Sequence, residues 1–363
     1  MNNLETLEKR WKKNLQNPEL KPGILSLDIG GTKISYALIP INAQGNMLNK
    51  FVFSNKKTTH KGKENLIKIV LNIINEALQK AEKQGYSLLP VITAGSPGRY
   101  IGQNHEIIAK GSAANLANFL GEFDNCNLGA MFQEHLPQWC TIIVKNDAIA
   151  QFSAGLTTML ENPTFKQLFS KQKVAYIGPG TGLGGGFAEV DEHGYITFFT
   201  DGHIYDCLIP NQNGQFAGAE DLFSGRAFEE LTKRSAKEVN SDPELIRLFT
   251  HEIELMGTYL AELIEAIYIG SIKKKNPEDD WPKEDINGVK KIKYYLIGGS
   301  LGTIGRMGEI IRQTAQKELE KRHLFDIKIF PIEEAQDAAL FGAAHFVFAD
   351  VICKMMQDFR EVK

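Results

Sequence analysis

The chain is organised around the stretch Val174-Ala175-Tyr176-Ile177-Gly178-Pro179-Gly180-Thr181-Gly182-Leu183-Gly184-Gly185-Gly186. Six of the nine residues 178–186 are glycine, an apolar run precedes them, and Phe187-Ala188-Glu189-Val190 follows. This order predicts a strand, a tight turn and a second strand. Glycine permits positive φ and close approach to the backbone, and successive N–H groups in such a turn can bind an anion. The stretch alone leaves two interpretations open, a phosphate-binding turn and a ligand-free glycine hairpin.

A second stretch near the N-terminus has the same design. It reads Ile24-Leu25-Ser26-Leu27-Asp28-Ile29-Gly30-Gly31-Thr32-Lys33 and continues into the apolar run 34–39. Here a carboxylate, Asp28, closes the first strand. A carboxylate among apolar residues is costly to bury unless it is paired or lies near a metal. Beside a phosphate-binding turn it suits a Mg²⁺–nucleotide site, and a turn-capping role is the alternative.

Length, composition and charge exclude several classes of protein. A chain of 363 residues favours two domains or lobes. The net charge of −3 gives no general attraction to nucleic acid or to a membrane surface. Cys126, Cys140, Cys207 and Cys353 are far apart, which argues against a disulfide framework and a cysteine-based zinc site. No apolar run is long enough to span a bilayer and no signal peptide is present, so we expect a cytoplasmic protein.

Several elements outside the two hairpins are predicted from periodicity. An apolar stripe predicts a helix in residues 1–21 that ends at Pro22-Gly23 and packs on the body of the protein. Phe51-Val52-Phe53 is predicted as a third strand, and a helix is predicted from Gly62 to Gly85. Residues 273–285 contain three consecutive lysines, paired aspartates and two prolines, which predicts a solvated loop.

Two buried strands end in polar residues. One runs into Gly95-Ser96-Pro97-Gly98, and the other ends at Asn146-Asp147, where a helix begins. Ligands of open α/β sheets bind at the carboxyl ends of strands, so both ends are candidate sites. Asp147 is either a helix N-cap or a general base that deprotonates a substrate hydroxyl.

The motifs together resemble a known family. Their order is Asp28-Ile29-Gly30-Gly31-Thr32-Lys33, Gly95-Ser96-Pro97-Gly98, Asn146-Asp147, the glycine stretch 180–186, Asp201-Gly202-His203, Glu220 and Gly298-Gly299-Ser300-Leu301-Gly302. Over residues 22–350 this order resembles the sugar kinases of the actin/hexokinase/Hsp70 superfamily, and within it the ROK family and the bacterial glucokinases. Each motif alone is weak, whereas the shared order is specific.

The resemblance implies an α/β fold of two ribonuclease-H-like (actin-like ATPase) lobes with a cleft between them. It implies an N-terminal lobe over 22–147 and a C-terminal lobe over 148–336, and the helix predicted from periodicity over 1–21 is then an N-terminal helical extension. A C-terminal helix over 337–363 would pack back near the N-terminal lobe. The implied activity is ATP-dependent phosphorylation of a hexose, glucose-like or N-acetylated, at its primary hydroxyl. The implied ligands are therefore ATP, Mg²⁺ and a small-molecule sugar.

The resemblance also implies roles for individual residues. Asp147 would be the general base, and Asp28 would lie near Mg²⁺, with water between them. The nucleotide would be bound by Asp28, Gly30, Gly31, Thr32, Lys33, Gly180, Thr181, Gly182, Gly298 and Gly299. The sugar would be bound by Ser96, Asn115, Asn146, Asp201, His203 and Glu220. The alternatives are a solvated Lys33, an ordinary loop histidine at His203, and a carboxylate at Glu220 that interacts with a helix dipole.

The chain departs from the family pattern at two places. Many ROK proteins have a Cys-x-Cys-Gly-x-x-Gly-Cys-x-Glu zinc loop, but the matching residues 213–220 lack all three cysteines, so we expect no structural zinc. The usual Glu-x-Gly-His has Thr200 in place of its Glu, and Asp201 could replace that carboxylate. The identity of the sugar therefore stays open.

Two further classes of function compete with the kinase. One is a non-catalytic sugar-sensing regulator of the same fold, and the other is a kinase or ATPase that acts without a sugar. The repressor branch of the family carries an N-terminal DNA-binding domain, and residues 1–21 are too few to form one. We therefore expect no binding to nucleic acid or membrane. The oligomeric state stays open; many relatives are homodimers.

Overall fold

The computed structural model of the protein describes residues 3–101, 108–110, 126, 128–200, 202–277, 280–302, 305–332, 337–347, 351–352 and 354–355. The chain forms two compact units of similar size. Unit 1 comprises residues 1–154 and 337–363, and unit 2 comprises residues 155–336. In the described part of the chain, no helix has the length and apolar content that crossing a membrane requires.

Unit 1 is built from strands and helices in alternation. Its elements are α1 (Asn3–Leu15), β1 (Lys21–Ile29), β2 (Lys33–Pro40), β3 (Phe53–Thr58), α2 (Lys63–Lys83), β4 (Tyr86–Ser96), β5 (Arg99–Ile101), β6 (Ile108–Lys110), α3 (Leu128–Gln133), β7 (Thr141–Asn146) and α4 (Asp147–Leu160), whose last residues belong to unit 2. The main sheet has the order β3-β2-β1-β4-β7. The first three strands are antiparallel, and β1, β4 and β7 are parallel. The carboxyl ends of β1, β4 and β7 therefore share one edge.

Two predicted boundaries in unit 1 are wrong. Pro22-Gly23 does not separate a helix from a strand but lies inside β1, where Gly23 pairs with both Pro40 and Leu88. Pairing on both sides extends this central strand, and a proline is tolerated near its start. The third strand begins at Phe53 instead of Phe51, because Phe51 stacks on Phe341 with ring centroids 4.0 Å apart.

The N-terminal helix packs on the start of β4. Trp11 is fully buried and its indole N–H donates to the carbonyl oxygen of Leu88 over 2.7 Å. Asn14 accepts from the backbone N–H of Leu88 over 2.8 Å. A buried tryptophan needs a partner for its N–H, and this bond explains why α1 sits at one place on the sheet. The prediction that this helix packs on the body is confirmed.

Unit 2 has a five-stranded sheet like that of unit 1, with additional strands and helices between β10 and β13. Its elements are α5 (Pro163–Phe169), β8 (Gln172–Pro179), β9 (Leu183–Val190), β10 (Ile196–Phe199), β11 (Leu208–Pro210), β12 (Phe216–Gly218), α6 (Ala219–Leu222), α7 (Gly225–Thr232), α8 (Ala236–Ser241), α9 (Pro243–Leu248), α10 (Thr250–Ile269), α11 (Lys283–Val289), β13 (Tyr294–Ile297), α12 (Gly299–Gly302), α13 (Arg306–Lys321) and β14 (Lys328–Pro331). The sheet order is β10-β9-β8-β13-β14, with the same strand directions as in unit 1. Each of these two main sheets has five strands in the same order. This shared order is the ribonuclease-H-like arrangement that the family resemblance implies.

Most described residues of the segment 273–285 are exposed, as its composition predicts, but two of them are buried. Lys274 and Trp281 are both buried, at 3% and 4% exposure, and α11 begins at Lys283. The Trp281 ring packs edge-on against Phe187, with centroids 5.5 Å apart. Charge runs predict solvent exposure only when no partner is available, and here Lys274 forms an ion pair with Asp206.

A short helix after residue 337 belongs to unit 1. Helix α14 (Ala338–Ala344) packs on β1, β4 and β2. The buried hydroxyl of Ser26 in β1 donates to the carbonyl oxygen of Leu340 over 2.6 Å. The backbone at Gly342 lies so close to Ala150 of α4 that a Cβ at Gly342 would overlap the Ala150 carbonyl oxygen. Glycine is therefore required where these two helices meet.

Candidate functional site

The turn between β1 and β2 is compact and firmly held. The backbone N–H of Gly30 donates to the carbonyl oxygen of Lys33 over 2.9 Å, which closes the hairpin. Thr59, the residue after β3, holds the turn: its hydroxyl donates to the Gly31 carbonyl oxygen over 2.7 Å, and its N–H donates to the Thr32 carbonyl oxygen over 2.9 Å. Thr32 and Lys33 are exposed. The turn is thus a rigid, accessible backbone feature, as an anion site requires.

Three strand ends of unit 1 come together. Asp28 lies opposite Gly95 in the parallel pair β1–β4, and Ser96 lies opposite Asn146 in the pair β4–β7. A Cβ at Gly95 would lie 3.6 Å from Cα of Asp147. The predicted residues Asp28, Ser96, Asn146 and Asp147 therefore belong to one edge of one sheet, as ligand sites of α/β sheets do.

Asn146 holds two parts of this edge at once. Its Nδ2 donates to the carbonyl oxygen of Gly98 over 2.7 Å, and its Oδ1 accepts from the backbone N–H of Ala148 over 2.8 Å. The first contact fixes the turn after β4, and the second satisfies an amide at the start of α4. An amide side chain suits this position because it offers a donor and an acceptor together.

Asp147 is the first residue of α4 and is partly exposed. Its Oδ1 accepts from the backbone N–H of Ala148 over 2.9 Å. Desolvation by the surrounding protein raises the pKa of its carboxyl, and the backbone hydrogen bonds only partly oppose this increase. A carboxylate with a raised pKa is a stronger base than an ordinary aspartate. The helix-cap and general-base interpretations are therefore compatible.

The charges around Asp28 leave it short of positive partners. Burial raises the pKa of Asp28 to about 6, and the negative charges of Asp147 and Asp337 add to this increase. Lys33 and Lys56 oppose it without cancelling it. A carboxylate in this state gains from a nearby cation. The edge therefore favours a divalent metal ion or another positive group beside Asp28.

Asp337 is a site residue that the sequence did not reveal. It precedes α14 with φ of 69°, in the left-handed region that non-glycine residues rarely adopt. Its carbonyl oxygen accepts from the N–H of Leu340 over 3.0 Å. An aspartate before an alanine-rich helix looks like an ordinary cap in the sequence, and only the fold brings its charge near Asp28.

Two of the predicted sugar ligands in unit 1 differ from the others. Ser96 has no accessible surface, and its hydroxyl lies 3.4 Å from the Pro97 carbonyl oxygen. Contact between the Ser96 hydroxyl and a ligand would require the atoms that cover it to move. Asn115 lies outside the described residues.

The glycine turn of unit 2 contacts the start of α7. The N–H groups of Gly225 and Arg226 donate to the carbonyl oxygens of Gly180 and Thr181, over 2.7 and 3.3 Å. A Cβ at Gly225 would lie 2.5 Å from the Gly180 oxygen, so this contact requires glycine. Ser224 caps α7 by accepting from the N–H of Ala227. The turn is held by its carbonyl side, as the turn of unit 1 is.

Glu220 lies directly on the glycine turn. Its Oε2 accepts from the backbone N–H of Leu183 over 2.9 Å, and its Oε1 lies 3.0 Å from a guanidinium nitrogen of Arg226. A Cβ at Gly182 would lie 2.6 Å from Oε2, so the carboxylate needs the absence of a side chain there. Arg226 therefore places a positive charge beside the turn. The sequence did not reveal this contact, because Glu220 and Arg226 lie in two different helices, α6 and α7.

Gly298 and Gly299 lie against the same turn. The N–H of Gly298 donates to the carbonyl oxygen of Ile177 over 3.1 Å. Gly299 has φ of 65°, and a Cβ there would overlap the backbone of Pro179 and Gly180. Both glycines are buried, whereas Ser300 is exposed. The two glycine segments 178–186 and 298–302, both predicted from the sequence, thus lie together in unit 2.

Two residues shortly before His203 have positive φ angles. Thr200 has φ of 59°, which is unfavourable for a β-branched residue, and Gly202 has φ of 66°. Gly202 packs on Gly185 so closely that neither could carry a side chain without displacement. The His203 ring contacts the edge of the Tyr205 ring, with centroids 4.0 Å apart. Asp201 lies outside the described residues.

Metal ligands are sparse in the described residues. They contain no group of three or more His, Cys, Asp or Glu side chains arranged to hold a metal ion. A cation beside Asp28 would therefore take its remaining ligands from elsewhere, as Mg²⁺ commonly does from water and phosphate oxygens.

Residues 24–274 match the ROK family. The chain belongs to the ROK family. The match includes both glycine turns, Asp147, His203 and Glu220, so the resemblance suggested by the order of the motifs is confirmed. The comparison with curated proteins returned no match.

Solved structures of ROK proteins share the fold. The ROK hexokinase from Thermus thermophilus is 19% identical, with a TM-score of 0.58 over 91% of this chain and 99% of that one. A ROK glucokinase from Streptomyces griseus, solved with glucose and AMPPNP, is 17% identical, with a TM-score of 0.51 over 90% and 99%. A ROK transcriptional regulator, a homologue of the E. coli Mlc protein, is 17% identical, with a TM-score of 0.60 over 95% and 81%. The prediction of an α/β chain with two actin-like lobes is confirmed.

Proposed function

We propose that this ROK protein is an ATP-dependent sugar kinase that phosphorylates the primary hydroxyl of a hexose. The observation that carries the proposal is the position of Asp147. Its carboxyl has a raised pKa, stands at the first turn of α4, and shares a sheet edge with Asp28 and the β1–β2 turn. Phosphoryl transfer needs a base beside the nucleophile and groups that bind phosphate, and unit 1 offers both.

Asp147 is the general base in this proposal. Its carboxylate takes the proton of the sugar hydroxyl while that oxygen forms a bond to the γ-phosphorus of ATP. The bond between this phosphorus and the β–γ bridging oxygen breaks, and ADP leaves. Desolvation supports the role because it raises the pKa of the Asp147 carboxyl, which makes its carboxylate a stronger base. Asn146 keeps the base in place because it holds the start of α4 through the N–H of Ala148.

Asp28 is the residue that would hold Mg²⁺, with water between them. Its chemistry fits: an oxygen ligand whose raised pKa of about 6 reflects burial and two neighbouring negative charges. When bound, Mg²⁺ neutralises phosphate charge. Asp28 contributes a negative charge near the end of β1. Because its pKa is raised to about 6, a nearby cation would keep the carboxyl ionised below that pH.

The two glycine turns are proposed to bind the phosphates of ATP. In unit 1 these residues are Gly30, Gly31, Thr32 and Lys33, and in unit 2 they are Gly180, Thr181 and Gly182. Thr59 in unit 1 and α7 in unit 2 occupy carbonyl oxygens of the two turns, which favours N–H groups as the anion-binding side. Gly298 and Gly299 would lie against the adenosine, and Arg226 adds a positive charge beside the second turn.

The sugar is proposed to contact Asn146 in unit 1 and His203 and Glu220 in unit 2. Carboxylate, amide and imidazole groups each bond to sugar hydroxyls, and a site built from them discriminates against sugars that lack a hydroxyl. Ser96, Asn115 and Asp201 are further proposed ligands. Glucose-like hexoses and N-acetylhexosamines are the substrate classes, and Thr200 in place of the usual Glu is the departure that bears on the choice.

A coupled ADP-release assay tests this function. The wild-type protein is assayed with Mg·ATP against a panel of hexoses and N-acetylhexosamines, beside Asp147→Asn. Asp191→Asn is the matched control, because Asp191 caps the β9–β10 turn by accepting from the N–H groups of His193 and Tyr195, which Asn can also do. We expect turnover on at least one sugar and a loss of at least about 100-fold in kcat for Asp147→Asn alone.

Other outcomes redirect the assignment. Near-normal turnover of Asp147→Asn would remove the base from the mechanism. Silence on every sugar, with sugar still bound in calorimetry, would favour a non-catalytic sugar-sensing regulator. ADP release that no sugar stimulates would favour an ATPase or a kinase for another substrate.

A further inference from the structure

The ammonium group of Lys274 is a buried charge that the proposed mechanism does not use. The Lys274 side chain has no accessible surface, and its partner Asp206 is 8% exposed. Nζ lies 2.7 Å from Oδ1 of Asp206 and 4.8 Å from the centroid of the Trp281 ring. A lysine is rarely buried this completely, because an ammonium loses much of its hydration unless polar partners replace it.

The third partner of this ammonium is the backbone of a proposed sugar ligand. Nζ of Lys274 donates to the carbonyl oxygen of His203. The three partners of Nζ are therefore a carboxylate, an aromatic face and a carbonyl oxygen. An ammonium has three N–H donors, and these partners together replace the water that would otherwise hydrate it. Of these, only the His203 carbonyl belongs to a residue that we place against the sugar.

The backbone around Lys274 strengthens this connection. The N–H of Leu208 donates to the carbonyl oxygen of Lys273 over 2.8 Å, and the N–H of Lys275 donates to that of Asp206 over 2.9 Å. The N–H of Lys274 donates to Oδ1 of Asp280 over 2.8 Å, which closes the 273–281 segment on itself. Segment 203–208 is thus clamped along its length by segment 273–275.

The same clamp reaches Glu220. The N–H of Glu220 donates to the carbonyl oxygen of Tyr205 over 2.8 Å, and the N–H of Ala219 donates to that of Cys207 over 2.7 Å. Segment 203–208 therefore lies between Lys274 on one side and Glu220 on the other. A displacement of this segment would move His203 and Glu220 together.

We propose that Lys274 is a positioning residue: its buried ammonium fixes the main chain at His203 and thereby orients His203 and Glu220 for the sugar. The inference rests on the proposed function, since it gives these two residues a sugar to bind. It predicts a larger effect on sugar binding than on nucleotide binding, because Lys274 contacts the 203–208 segment directly and reaches the glycine turn only through Glu220. Lys274 itself touches no reacting atom and is not a catalytic residue.

Three variants separate positioning from folding. Lys274→Met leaves Asp206 buried without its cation and should be destabilised. The double variant Asp206→Leu/Lys274→Met removes both charges and should regain much of the stability, because apolar groups replace the ion pair. Lys273→Met is the matched control, since Lys273 is the exposed neighbour of the same type.

Steady-state kinetics give the first readout. In Lys274→Met and in the double variant we expect the KM for the sugar to rise about tenfold or more, while the KM for ATP stays within about twofold. Lys273→Met should match the wild type in both. If the double variant recovers both its melting temperature and a wild-type KM for the sugar, Lys274 is only a structural residue and the proposal is overturned.

Amide hydrogen exchange gives a readout that does not depend on activity. We expect faster exchange over residues 203–221 in the double variant and unchanged exchange over α13, which serves as the internal reference. Unchanged protection over 203–221 would refute the clamp. If the wild type turns over no sugar, the proposed function fails, and this exchange result still decides whether Lys274 holds the segment.

Discussion

The carboxylate of Asp147, which directly follows β7, raises the pKa of Asp28 near the end of β1. Burial makes the larger contribution, and the charge of Asp147 adds to it. A nearby cation would stabilise the ionised form of a carboxyl that is buried beside another negative charge. The relationship therefore gives a physical reason for a metal-bound phosphate to occupy this edge.

The first prediction concerns the titration of Asp28. Asp147→Asn removes one negative charge, so the pKa of Asp28 should fall below its wild-type value of about 6. It should stay above its ordinary value of 3.8, because burial, the larger cause, remains. Carboxyl ¹³C chemical shifts followed through a pH titration measure both values. An unchanged pKa would mean that the two carboxylates do not interact.

The second prediction concerns stability and pH. The folded-state pKa of Asp28 is raised from 3.8 to about 6, so the folded protein binds this proton more tightly than the unfolded chain does. The stability that the protonated Asp28 carboxyl contributes is complete below about pH 4 and is lost as the pH rises through about 6. Asp28→Asn should therefore increase the free energy of unfolding by about 2 kcal/mol at about pH 8 and have little effect at about pH 4.

Urea unfolding at the two pH values measures this difference. Asp191→Asn is the control and should show no such gain at high pH, because Asp191 is held by backbone N–H donors that favour its ionised form. Equal effects of Asp28→Asn at both pH values would contradict the prediction. The same substitution should weaken the dependence of activity on Mg²⁺, since a carboxylate that supports a cation is gone.

The third prediction separates two roles of Glu220. Glu220→Gln keeps an oxygen that can accept from the N–H of Leu183, so the melting temperature should change little. The loss of charge should raise the KM for the sugar by about tenfold, with the KM for ATP nearly unchanged. Glu189→Gln, at an exposed site on β9, is the control. An increase in the KM for ATP alone would assign Glu220 to the phosphate turn.

The fourth prediction compares the same substitution in two helices. Gly342→Ala in α14 places a Cβ against the carbonyl oxygen of Ala150 and should destabilise the protein by about 1–3 kcal/mol. Gly288→Ala in α11 meets only Phe199 carbons at 3.6 and 3.7 Å, so it should be neutral or stabilise by up to about 1 kcal/mol. Thermal unfolding of both variants is the measurement, and a milder effect at Gly342 than at Gly288 would refute the contact.

The sequence predicted those features that local chemistry determines. The two glycine hairpins, the helix over residues 63–83 and the strand ends at Ser96 and Asn146 were all visible as patterns of apolar, glycine and polar residues. Each depends on neighbours within a few positions, so periodicity and turn chemistry suffice. The roles assigned to the site residues came from the resemblance and stay predictions.

The features that were missed depend on partners far along the chain. Lys274 is buried because Asp206 and the His203 carbonyl, 68 and 71 positions away, accept from its ammonium group. Pro22 reads as a helix terminator, yet pairing of Gly23 with β2 and β4 extends the strand through it. Asp337 acts on Asp28 only because α14 returns to β1. No local pattern contains these contacts.

The close approach of Gly342 to Ala150 fixes the distance between helices α14 and α4 in unit 1. Helix α4 starts at Asp147, and helix α14 follows Asp337. A backbone contact between the two helices therefore fixes the distance between these two acidic residues. Exposed side chains on either helix can change in size without altering that spacing, whereas the buried side chains of α14 cannot. The outer surfaces of the two helices can therefore diverge freely in related proteins while the arrangement of charges around Asp28 is inherited through the backbone.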